Sequence, residues 1–178
     1  MIAPGLYVAT MSTRAFSRSI AVARIGAEPE VHDIAATAEE CAAIAREFNI
    51  PGIGALAGHY VLRAEGDGEI AAALHLTAMV TRTCVVTLDD FEAEVDERAE
   101  LLFIPAERMS EMLEGPDEPD EIPYEGTAID LGAALTEQLA LALDPYPRKP
   151  GVALTEEARS DRENPFAAFF GRNGQGKA

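Results

Sequence analysis

Three histidines, two cysteines and a row of carboxylates are the residues of this sequence with chemistry to offer. His59 and His75 lie in neighbouring stretches that alternate apolar and polar residues, so a hairpin would set the two imidazoles side by side. Two histidines make half of a tetrahedral zinc site, and the pattern reads better as a cross-strand pair on a solvated face. His32 reads as part of a linker. Cys41 and Cys84, far apart in sequence, make no disulfide framework, and reduced thiols are the simpler state. Glu92, Glu94, Asp96 and Glu100 fall on one side of a strand, where carboxylates form a solvated face and not a general acid/base pair. Gly52 and Gly54, in PGIGALAG, are an incomplete dinucleotide fingerprint that precedes a strand instead of opening a helix. No phosphate-binding G-x-x-x-x-G-K-S/T loop occurs, and no serine or threonine has a histidine placed near it by a recognisable motif. The chain therefore reads as no enzyme, with no cofactor and no metal. A metal-dependent enzyme built on His59, His75 and nearby carboxylates is the least favoured alternative.

Strands must position these groups. In LAGHYVLRA the row is Leu56, Gly58, Tyr60 and Leu62; in IAAALHLTAMVTRTCVV it is Ile70, Ala72, Leu74, Leu76, Ala78 and Val80. In FEAEVDERAELLF it is Phe91, Ala93, Val95, Ala99, Leu101 and Phe103, with the acids on the other side. Period-two alternation marks strands with one buried face. EGDGE and TLDDF supply turns, giving a three-stranded antiparallel meander, either open or rolled toward a barrel. A three-residue loop over residues 66–68 sets Tyr60 opposite Leu74 and His59 opposite His75. A two-residue turn at Asp89 and Asp90 sets Cys84 opposite Val95 and Arg82 opposite Glu97. That last pair is either a cross-strand ion pair or the point where both strands have left the core.

Two helices accompany the meander, and residues 16–25 read as a short strand. TAEECAAIAREFNIPG begins at a capping box of Thr37 and Glu40 and ends at Pro51; Ala38, Cys41, Ala42 and Ile44 share its buried face. The second helix follows Asp130 as its cap and stops at Pro145 and Pro147. Its ridge of Leu131, Leu135, Leu139 and Leu143 should pack on the sheet's apolar face. The fold class is α+β, in one domain over residues 15–150. Residues 1–14 are expected to form a disordered extension, with Met11 as a second start. Residues 107–125 form an acidic surface loop, opened by a short helix. The tail, 151–178, carries a docking segment, NPFAAFF.

Acids outnumber bases 31 to 14, a formal charge of −17. Such a charge repels polyanions, because phosphate binding needs clustered Lys and Arg. Extensive nucleic-acid binding is disfavoured, and a basic protein is the easier partner. No apolar run approaches the roughly 20 residues of a membrane span, and MIAPGLYVATMSTRAFSRSI lacks the pattern of a signal peptide. A cytoplasmic location is expected.

TCVVTLDDFEAEVDE, then IDLGAALTEQLALALDPYPRKPG, then NPFAAFF, taken in order, resemble the YceD family, named for large ribosomal RNA subunit accumulation. Asp130, Leu131, Gly132, Glu137, the leucine run and the proline stop carry most of the likeness. It spans most of residues 16–170, weakly over the first third, and is nearest the branch reading C-V-V-T-L. The resemblance implies a role in making or maintaining the large ribosomal subunit through its 23S RNA, and implies no catalytic activity. Family genes commonly neighbour that of a small, basic large-subunit ribosomal protein. Many members carry Cys-x-x-Cys on this strand, whereas Thr87 holds the second position here. Cys84 alone supplies no thiolate pair and reads as a packed, inward thiol.

On this reading the partner is a basic ribosomal protein or a large-subunit assembly factor, held by Glu92, Glu94, Asp96 and Glu100, with rRNA reached indirectly and no membrane involved. Arg148 and Lys149 either touch RNA phosphate or complement the helix C-terminus. The alternative is direct RNA binding through Arg148, Lys149, Arg159, Arg162 and Arg172. Arg82, Glu97, Cys84, Leu131, Leu135 and Leu139 are assigned structural roles.

Overall fold

The computed structural model describes residues 15–108 and 119–152. The N-terminal extension, the middle of the acidic loop, the tail segment NPFAAFF and Arg159, Arg162 and Arg172 lie outside the described residues. In chain order the elements are β1 (Ser19–Ala21), β2 (Glu30–Ala35), α1 (Ala38–Glu47), β3 (Gly52–Gly66), β4 (Glu69–Thr83), β5 (Asp90–Pro105), β6 (Asp120–Tyr124), β7 (Ala128–Asp130) and α2 (Leu131–Ala142). One sheet has the order β2-β3-β4-β5-β6; β1 and β7 form a separate antiparallel pair. The large sheet is open, antiparallel throughout except where β6 runs parallel to β5.

The long strands form because every second residue is apolar, and the inner rows close into one core. Leu56, Tyr60, Leu62, Ile70, Leu74, Leu76, Val80, Leu101 and Phe103 are buried together with Cys41, Ile44 and the helix leucines. Tyr60 has no exposed surface, and its hydroxyl donates to the Leu131 carbonyl at 3.0 Å. Burial pushes the phenol's pKa well up, with Asp130 adding to the effect. Leu131, Leu135 and Leu139 are fully buried, and each such side chain contributes about 1.5–3 kcal/mol. Helix and sheet meet closely because Gly58 leaves room: a Cβ there would lie 2.9 Å from a Leu135 methyl.

His59 does face His75, and Tyr60 faces Leu74. The connection is a two-residue turn at Asp67 and Gly68 plus an irregularity between Ala64 and Gly66, which together reach the expected register. The next hairpin differs. Thr83 pairs with Asp90 and Arg82 with Phe91, so Arg82 does not meet Glu97, which lies opposite Leu76. Nor does Cys84 face Val95, whose partner is Ala78. Residues 84–89 leave the ladder as a closed loop: Cys84 N–H donates to the Asp89 carbonyl and Leu88 N–H to the Cys84 carbonyl. Leu88 takes a positive φ of 62°, and Val85 N–H turns away to the Pro147 carbonyl.

Four further expectations need correction. Of residues 16–25 only Ser19–Ala21 is strand, and a 3-10 turn follows over Val22–Arg24. His32 belongs to β2, not to a linker. The region after residue 107 is not loop throughout, since residues 120–124 form β6. In α1 it is Ala45, not Ala38 or Ala42, that is buried beside Cys41 and Ile44.

The start of α2 is a knot. The Asp130 carboxylate accepts from the N–H groups of Gly132 and Ala133 at 3.1 Å, from Arg18 N–H at 2.8 Å and from Ser17 Oγ at 2.7 Å. Gly132 is required by contact: a Cβ would lie 2.9 Å from Arg18 N and Ser17 Cα. At α1 the capping box forms, and Glu40 also receives both terminal nitrogens of Arg18, at 2.8 and 3.0 Å. The Arg18 bond, helped by Thr37 N–H, holds the Glu40 pKa down at about 2.

Candidate functional site

The helices sit on the inner face of the sheet, and among the described residues no element covers the outer face of β3, β4 and β5. On β5 the outward residues are Glu92, Glu94, Asp96, Arg98, Glu100 and Leu102, because the inward ones alternate from Phe91 to Phe103. The four acids therefore share one face, as their spacing predicts, with Arg98 interrupting the row. Asp96 has an imidazole partner, His75 Nε2 at 3.0 Å. Glu92, Glu94 and Glu100 have no ion-pair partner among the described residues.

Beside them the two histidines form a chain across four strands. His59 Nδ1 lies 2.6 Å from Asp33 Oδ1 on β2, His59 faces His75, and His75 reaches Asp96 on β5. Each imidazole is engaged by its own carboxylate. Among the described residues, no group of three or more His, Cys, Asp or Glu side chains is placed to hold a metal. The His32 ring, on the inner side of β2, lies 3.6 Å from Glu30.

Away from this face, Arg82 donates to the Asp144 carbonyl at 2.6 Å. It is thus a cation just past the last turn of α2, the place considered for Arg148 and Lys149. Those two are exposed, and Pro147 just before them accepts from Val85 N–H in the loop of Cys84. The Cys84 thiol has no exposed surface, and hydrogen bonds lower its pKa to about 6, led by Lys149 N–H and followed by the Thr87 hydroxyl and Thr87 N–H. Glu97 is exposed on the inner side of β5.

Sequence reasoning missed Asp33 because β2 was not recognised, and missed the Arg82–Asp144 contact because the register was misplaced. The Asp33–His59 contact follows from the β2–β3 pairing alone, in which Asp33 lies opposite His59.

The site is thus an open α+β sheet with helices on one side and a carboxylate row on the other. Residues 72–167 match the family model described as large ribosomal RNA subunit accumulation protein YceD. The matched region covers more than half of the chain, and the protein belongs to the YceD family. It begins inside β4, so β1 to β3 and α1 precede it. No curated protein and no solved structure matches the chain. The family's name ties it to accumulation of the large ribosomal RNA subunit. No helix among the described residues is long and apolar enough to cross a membrane.

Proposed function

We propose that this protein is a non-enzymatic factor, acting in the cytoplasm, that supports accumulation of 23S ribosomal RNA by holding a basic ribosomal protein or large-subunit assembly factor. The observation that carries the reading is the β5 row: Glu92, Glu94 and Glu100 project from one open sheet face without ion-pair partners among the described residues. Unpaired carboxylates on a rigid strand attract Lys and Arg at long range and suppress acidic competitors. The overall charge of −17 strengthens that field. RNA is then reached through the partner, since phosphate would meet repulsion on this face.

The test is association of a purified basic large-subunit ribosomal protein with the wild-type chain and with a variant carrying Ala at positions 92, 94, 96 and 100. The association rate should fall about tenfold in the variant at low salt. The two proteins should converge near 1 M salt, where the Debye length is about 3 Å. Equal rates at low salt would remove the acidic row from the interface.

A further inference from the structure

The strand that bears the acids is also an unfinished edge. β6 pairs only with Leu101–Pro105, so among the described residues the stretch from Asp90 to Glu100 is bonded to β4 on one side and to nothing on the other. Every second residue of a strand turns its N–H and C=O to the same side, so this stretch offers a row of open donors and acceptors. Its ladder with β4 runs from Asp90 to Phe103 without a bulge, which leaves the edge regular enough to template another strand.

The inner side of the same edge is hollow. Between β5 and α2 lie two adjoining cavities that share Ala142. One, of about 310 Å³, is lined by Leu76, Ala99 and Leu141 among others. The next, of about 190 Å³, includes Val80, Phe91, Val95 and Leu143. A strand added beside β5 would send alternate side chains to opposite faces. One row would enter these hollows, whose walls mix apolar side chains with Glu97 and Gln138 in the first and Arg82 and Asp144 in the second, and the other would lie along Glu92, Glu94 and Asp96.

From this geometry we infer that the free edge of β5 accepts an extended segment of a basic partner as a further strand, with apolar residues alternating with Lys or Arg. The ladder hydrogen bonds supply affinity, and the two unlike faces select the sequence. Charge also decides against a second copy of this chain. Two such edges paired together would set acid row against acid row, and Glu97, a charge on the inner side, adds to that penalty. This inference rests on the acidic-face reading for the basic row, while its ladder and apolar row stand apart from it.

The experiment uses the full chain and three labelled peptides: alternating Lys-Val, a Lys/Val peptide of the same composition with its pattern scrambled, and the alternating peptide with every second amide N-methylated. Anisotropy should show the alternating peptide binding at least about tenfold tighter than either control. When it binds, exchange should slow at the amides of residues 90–100 that point away from β4. Equal binding of all three peptides that is lost in the variant with Ala at 92, 94, 96 and 100 would overturn strand addition and leave the acidic face standing. Patterned binding that survives in that variant would support strand addition and remove the acidic face. Slow exchange in the free protein at those amides of 90–100 that point away from β4 would show the edge already covered by the chain's own residues and would overturn the inference, as would protection confined to β2.

Discussion

Replacing Asp130 tests how the N-terminal segment and α2 are joined. Its carboxylate accepts two helix N–H groups at 3.1 Å and Arg18 N–H at 2.8 Å, all on Oδ1, while Oδ2 takes Ser17 Oγ at 2.7 Å. Asp130→Ala removes a helix cap, which costs about 0.5–2 kcal/mol. It also strips the acceptor from a part-buried backbone N–H, worth about 1–3 kcal/mol. The combined loss is about 2–4 kcal/mol, or roughly 5–15 °C in melting temperature for a domain of this size. Asp130→Asn keeps an oxygen for the three N–H groups and turns its amide toward Ser17, so it should cost less than about 1 kcal/mol. Urea titration of both variants followed by circular dichroism reads the difference. If Asn proved as damaging as Ala, charge and not hydrogen-bond geometry would hold the knot. If Ala cost less than about 1 kcal/mol, there would be no knot.

Gly132→Ala should destabilise by about 1–3 kcal/mol through its clash with the Ser17–Arg18 backbone, although helix propensity alone predicts a gain of up to about 1 kcal/mol; a more stable variant in a thermal melt would contradict the close approach. Glu40 titrates well below its usual value of 4.5, at about 2 in the fold, so the stability it contributes is full above pH 4.5 and drains as pH falls toward 2. Glu40→Gln should flatten that part of the pH–stability curve, and an unchanged slope would show the Arg18 pair to be inert. Cys84 titrates near 6 against an ordinary 9, so the folded state binds fewer protons in that window and stability rises with pH across it. The stability gap between wild type and Cys84→Ala should therefore widen from about pH 5 to about pH 9, and a constant gap would mean the sulfur stays protonated in the fold.

The sheet's centre was legible because β3, β4 and β5 each keep one strict apolar row, and because the Gly-Asp-Gly turn restricts how the first hairpin can close. The caps at Thr37 and Asp130 were legible for a similar reason: each is a local contact within three residues. What failed was long-range. The apolar alternation continues through Cys84 and Val86, so nothing local ends the strand at Thr83. Its stop depends on Val85 N–H finding the Pro147 carbonyl, more than 60 residues away. β2 was hidden because its inward row includes Glu30 and His32, while Val31 points out with 58% of its surface exposed. β6 was hidden by Pro123, which an edge strand tolerates. The acidic row was visible as alternation, but the open edge and the hollows beside α2 arise only when β6 stops at Leu101 and α2 crosses the sheet.

Whether the acidic face holds the partner is decided by a pull-down from lysate with tagged wild-type protein and with the variant carrying Ala at 92, 94, 96 and 100, each with and without RNase. Protein and RNA are both identified. A basic large-subunit ribosomal protein or assembly factor should stay on the wild type after RNase and be missing from the variant. If 23S RNA dominates the capture and RNase strips away everything else, the acidic face is not the site.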